Sequence, residues 1–184
     1  MVEFVGDSLI DPHLYSEEWR KILRSSTGKN LRKKLWDNLP NKLLRALKDE
    51  WPSIWWSQEY VVPGGVNNQK WDVGGVIQET RVCVAVELEL DRPTAVRNVN
   101  KTWMATVHTK QATRLIQIFS PLFDGPWLQR FDEAKFIGHQ AQADQSISLS
   151  YLAVRLETWP LHDQTLVAKL VQDIKKVLQI QNGL

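Results

Sequence analysis

A single cysteine in 184 residues, Cys83, excludes an internal disulfide and a cysteine-built zinc site. The four histidines, His13, His108, His139 and His162, are scattered and lack the HExxH spacing of a zinc hydrolase. Ser57, Ser120 and these histidines form no recognisable nucleophile arrangement. Thr27-Gly28-Lys29 lacks both the upstream glycine and the preceding strand of a phosphate-binding loop. No apolar run reaches the 18 or more residues of a membrane span. The opening MVEFVGDSLIDPHLY places acids where a secretory leader carries lysine or arginine, so a cytoplasmic protein is expected. Repeats, low-complexity tracts and glycine–serine linkers are missing too, and residues 1–184 read as one domain.

What is present is ordinary in bulk, with 43% hydrophobic and 24% charged residues, enough to bury a proper core. Two features stand out. Nine tryptophans either fill the core and surface grooves or offer faces for nucleobases to stack on. The formal charge of +2 hides an asymmetric block: from Arg20 to Lys48 there are ten lysines and arginines against one acid, Asp37. Such a block is either a solvated helix face or a surface for a polyanion, whose phosphates supply most non-specific affinity.

Residues 15–24 predict a helix capped by Ser16, with Trp19, Ile22 and Leu23 inward. LRKKLWDNLPNKLLRALKDEW repeats leucine every four residues from Leu31 to Leu47, and Pro40 splits it into two helices or kinks one. Three strands follow: SIWWSQEYVV, then WDVGGVI after a turn at PGGVNN, then RVCVAVELEL after a turn at QET. Thr94 is a plausible cap for a helix with Val96, Val99, Trp103 and Val107 inside. TRLIQIFSP is a fourth strand, PWLQRFDEAKF a loop and helix, and SISLSYLAVRLETW a further strand or strand pair. The chain closes on an amphipathic helix striped by Leu166, Leu170 or Val171, Ile174 and Leu178. The helix between the third and fourth strands predicts a crossover joining parallel neighbours. The expected class is α/β (α+β): a mixed central sheet flanked by helices, with the strand and helix of 147–180 packed on it.

Period-two alternation puts Val82, Val84, Val86, Leu88 and Leu90 on one face of the third strand, and Cys83, Ala85, Glu87 and Glu89 on the other. A turn centred on Glu79-Thr80 places Asp72 opposite Glu87, unless Gly74-Gly75 hosts a bulge that shifts the register by one. Acids this close repel unless a proton or cation intervenes. Either they are solvated at a hairpin end, or three oxygen donors share a hard divalent ion such as Mg²⁺. That arrangement suits phosphodiester hydrolysis. Two glutamates about 7 Å apart along a strand would also suit an inverting glycosidase, although the basic block serves no neutral sugar. Gln111, Arg114, Gln117, Gln140 and Gln142 carry groups able to read base edges.

At Asp72 and Glu87-Leu88-Glu89 the chain resembles the PD-(D/E)xK nuclease superfamily, with a restriction-endonuclease-like αβββαβ core over about residues 31–120. Trp71 stands where that family often has proline, and Glu89 where lysine is usual, which gives the ExE variant. The resemblance implies a Mg²⁺-dependent DNA endonuclease, with Mn²⁺ as a substitute ion. Asp72, Glu87 and Glu89 would hold the metal. Lys101, or secondly Arg97, would supply the missing positive charge, and Glu50 or Glu59 a further acid. Lys29, Arg32, Lys33, Lys34 and Arg97 would contact DNA, and a homodimer would cut both strands. The alternative is a nucleic-acid-binding or assembly protein that keeps the scaffold without turnover.

Overall fold

The computed structural model describes residues 17–25, 28–36, 38–65, 68–90, 94–159, 163 and 165–179. The proposed Ser16 cap lies outside them. Helices α1 (Glu17–Arg24), α2 (Lys29–Leu35) and α3 (Leu39–Glu50) lead into strands β1 (Ile54–Val61), β2 (Lys70–Ile77) and β3 (Val82–Glu89). Helix α4 (Ala95–Thr109) leads to β4 (Thr113–Phe119). A 3₁₀ turn at Gly125–Trp127 opens α5 (Leu128–Ala143), and β5 (Leu149–Arg155) and α6 (Leu166–Gln179) complete the chain. No helix among the described residues is long and apolar enough to cross a membrane.

The sheet order is β1-β2-β3-β4-β5. The first three strands run antiparallel, whereas β4 and β5 join in parallel. A strand that must return in the same direction needs a crossover; α4 supplies it between β3 and β4, and α5 between β4 and β5. This is the predicted mixed sheet, and the last strand is single rather than a pair.

Helices cover both faces. Leu35, Leu39, Leu43 and Leu47 from α2 and α3 meet Leu166, Leu170, Val171 and Ile174 from α6 over the face carrying Val73, Val84, Val86 and Ile116. A fully buried leucine contributes about 1.5–3 kcal/mol, so this stripe is a large share of what holds the helices on. The α2–α3 break falls where Pro40 predicts it, with proline in the first turn of α3, where its missing N–H costs nothing. On the other face Cys83, Ala85 and Leu115 meet Val99, Ala105 and Ala141.

Three expectations are corrected, the inner face of α4, the Thr94 cap and the inward Ile22, and the alternative of a bulge at Gly74-Gly75 is ruled out. The inward face of α4 is Ala95, Val99, Thr102, Ala105 and Thr106: of the predicted Val96, Val99, Trp103 and Val107, Val99 is fully buried, whereas Val96 and Trp103 pack only at the edge of the core and Val107 is half-buried. Small residues let α4 approach the sheet, and the threonines bond inward: Thr102 Oγ1 accepts Trp71 Nε1–H at 2.9 Å. Thr94 holds the cap position without a side-chain capping bond. Gly74 and Gly75 host no bulge, since pairing runs unbroken from Val73–Val86 to Ile77–Val82. They are glycines because a Cβ at either would collide with an aromatic ring, Tyr60 over Gly74 and Trp56 over Gly75. Among the tryptophans, Trp56, Trp71 and Trp159 are core residues, and Ile22, predicted inward, is exposed.

Candidate metal and phosphate site

The register between β2 and β3 is the predicted one, and it sets the site. Beyond the last ladder pair, Val73 with Val86, Asp72 and Glu87 are the next residues on the two strands. Glu59, opposite Asp72 on β1, has φ +45°, and neither residue joins the β1–β2 ladder. Strand alternation breaks here, since Trp71 and Val73 pack into clusters on opposite faces of the sheet. Asp72 Oδ2 accepts the backbone N–H of Leu88 at 2.7 Å, so the acid's side chain secures β3 where the ladder ends.

Glu87 and Glu89 share the α4 side of β3, as the alternation predicts, and both are buried at 2% exposure. Carboxylates this deep need partners. Lys101, one helix face away on α4, forms an ion pair with Glu87 Oε1. Its ammonium also donates to the Lys70 carbonyl at 2.7 Å. Glu87 Oε1 is buried, and the Lys101 ammonium in contact with it is the group that compensates its charge. Burial, opposed by Lys101 and reinforced by Asp72 and Glu89, pushes the Glu87 carboxyl up to about 8. Glu89 is raised by burial as well, against two donors that favour its charged form. Those donors are Asn98 Nδ2 and Gln117 Nε2, each 2.8 Å from Glu89 Oε1.

The acids open onto a cleft of about 740 Å³. Lys29 and Lys33 from α2 line one side, and Arg97 and Lys101 from α4 the other. Trp36 and Lys70 complete the wall near the acids. No protein-family model, curated protein or solved structure matches this chain.

The structure brings Asp72, Glu87, Glu89, Lys101, Lys29, Lys33 and Arg97 to one cleft and leaves four sequence candidates out of it. Glu50 bonds Lys175 on α6 at 2.8 Å, and Glu59 is an exposed partner of Lys70 at 2.7 Å. Arg32 is buried and turned inward, donating to the Leu23 carbonyl and to the Ser25 carbonyl at 2.9 Å, so it braces α1 against α2 rather than facing a polyanion. Lys34 is exposed on α2 outside the cleft. Arg114 and Gln117 are buried, which removes them as base readers, and Gln111 donates to the Arg81 carbonyl at 2.7 Å at the surface. Sequence reading passed over Asn98 and the true role of Gln117. Asn98 lies three residues before Lys101, hence on the same helix face, a signal that was available.

Among the described residues no three His, Cys, Asp or Glu side chains gather closely enough to hold a metal unaided. Asp72 is engaged by Leu88 N–H and Glu87 by Lys101. Mg²⁺ does not require a closed protein cage: it takes one or two carboxylates and keeps several waters. An all-oxygen donor set bordering one cleft, with two buried carboxyls held above their ordinary range by desolvation, fits such an ion.

Proposed function

We propose that this chain is a Mg²⁺-dependent DNA endonuclease of the restriction-endonuclease-like kind. The observation that carries the reading is the single cleft in which Asp72, Glu87, Glu89 and Lys101 meet beside Lys29, Lys33 and Arg97. Asp72 and Glu87 would hold the ion, with Glu89 as a further oxygen donor. When bound, Mg²⁺ supplies an activated water and stabilises charge on the scissile phosphate. Lys101, already aimed at the acids, would steady the phosphate oxygens as negative charge grows in the transition state. Lys29, Lys33 and Arg97 would seat flanking phosphates, and two copies would serve the two strands of a duplex.

The test is nicking of supercoiled plasmid by the purified chain across a Mg²⁺ titration, with Glu87→Ala alongside. Metal-dependent relaxation by the wild type and none by the variant supports hydrolysis. DNA binding without cleavage under any divalent ion would support the second reading, a binding or assembly protein on the same scaffold. The Lys101–Glu87 ion pair favours that second reading, because it already compensates a buried acid without a metal.

A further inference from the structure

We propose that Gln117 and Tyr151 act as a positioning unit that fixes which oxygen Glu89 offers to the cleft. The proposal rests on reading that cleft as a divalent-metal site. Gln117 stands on β4 directly across from Glu87 in the parallel register and is fully buried. Every polar position of its amide is used. Oε1 accepts the Tyr151 hydroxyl at 2.8 Å, while Nε2 donates to Glu89 Oε1 at 2.8 Å and to the Ala95 carbonyl at 2.9 Å. Turned round, the amide would set its oxygen against two acceptors and leave the tyrosine hydroxyl without its acceptor. Buried groups left in that state are costly, so the amide has one stable orientation.

The consequence falls on Glu89. With Asn98 Nδ2 also donating at 2.8 Å, Oε1 of Glu89 is saturated by two N–H groups. Oε2 takes no hydrogen bond among the described residues and is the oxygen left for a ligand. Tyr151 is well placed to hold this arrangement. Burial raises its hydroxyl above the ordinary tyrosine range, so it remains a donor. Its backbone N–H is tied to Gln142 Oε1 at 2.9 Å, His139 packs edge-on to its ring, and the ring fills space that only a glycine at 138 leaves. The order of α5 and β5 thereby reaches Glu89 through the Gln117 amide. Hydrogen-bond partners of this kind typically govern metal affinity by about 10- to 100-fold.

The test is Mn²⁺ binding to the full chain, followed by the paramagnetic resonance of the free ion, for wild type, Tyr151→Phe, Gln117→Leu and the double variant. Circular dichroism checks folding, and Tyr151→Phe keeps the ring and its packing. Each single variant is expected to weaken Mn²⁺ binding by about 10- to 100-fold. The double variant should be no weaker than Gln117→Leu, because the hydroxyl acts through the amide. Wild-type affinity in Tyr151→Phe, or a double variant that loses the product of both factors, overturns the proposal alone. A wild type that binds no Mn²⁺ overturns the metal reading of the cleft and this proposal with it.

Discussion

Asp72 Oδ2 accepts the backbone N–H of Leu88 at 2.7 Å, which ties the acid of β2 to the residue lying between the two glutamates of β3. An exposed carboxylate thus fixes the spacing of a site whose other two acids are buried. Asp72→Asn keeps an acceptor for Leu88 and should preserve the fold while lowering metal-dependent cleavage by at least about 100-fold, a loss of roughly 2.7 kcal/mol in transition-state stabilisation. Matched melting curves and plasmid nicking check both halves. A variant as active as wild type would remove Asp72 from the site.

The raised Glu87 carboxyl makes stability depend on pH. Its folded value of about 8 lies above the ordinary 4.5, so between these limits the folded chain binds more protons than the unfolded one. Stability contributed by the protonated acid is complete below about 4.5 and is lost as pH rises towards 8, at up to about 1.4 kcal/mol per unit of displacement. Metal-free protein should therefore melt at falling temperatures from pH 5 to 8. Glu87→Gln should flatten that fall, and Mg²⁺ should offset it most at the alkaline end. A metal-free melting temperature that climbs over this range would contradict the burial argument.

Lys29 and Lys33 line the cleft whereas Arg32, between them in sequence, faces inward. Alanine at both lysines should weaken DNA binding and reduce the slope of log affinity against log salt by about two. Arg32→Ala should instead cost about 2 kcal/mol of stability, through its lost bonds to backbone carbonyls, and leave the salt slope unchanged. Fluorescence anisotropy across a salt series, with denaturant melts, separates the two effects.

Gly138 on α5 lies against the Tyr151 ring, so even a methyl group would overlap it. Gly138→Ala should destabilise the protein by about 1–3 kcal/mol. Glycine elsewhere in a helix would gain stability from the same change. A urea melt decides the sign.

Much of this was legible in the sequence because two strong regularities agreed. Valine alternation and a short turn fix the β2–β3 register, and the register alone sets Asp72 beside Glu87. Pro40 marks the α2–α3 break because proline tolerates only a helix start. What escaped depends on partners distant in sequence. Gln117 is 28 residues from Glu89, and nothing in a glutamine says whether it faces water or a buried acid until the crossover sets the parallel register. Arg32 reads as one more cation in a basic block until the backbone carbonyls of Leu23 and Ser25 are in place. The inner face of α4 was misread in part, with Val99 correct, because large apolar residues outweigh threonine in a hydrophobic pattern. Thr102 and Thr106 are instead tolerated inside by bonding the carbonyls of Asn98 and Thr102.

The central claim is that Asp72, Glu87 and Glu89 converge on one divalent ion. A crystal of the chain soaked in Mn²⁺, with anomalous scattering measured at the manganese edge, tests it directly. A single peak in the cleft, with oxygens of Asp72, Glu87 and Glu89 at about 2.0–2.6 Å and Lys101 withdrawn from Glu87, is the predicted result. A cleft without anomalous density at saturating Mn²⁺, with Lys101 still paired to Glu87, would contradict it.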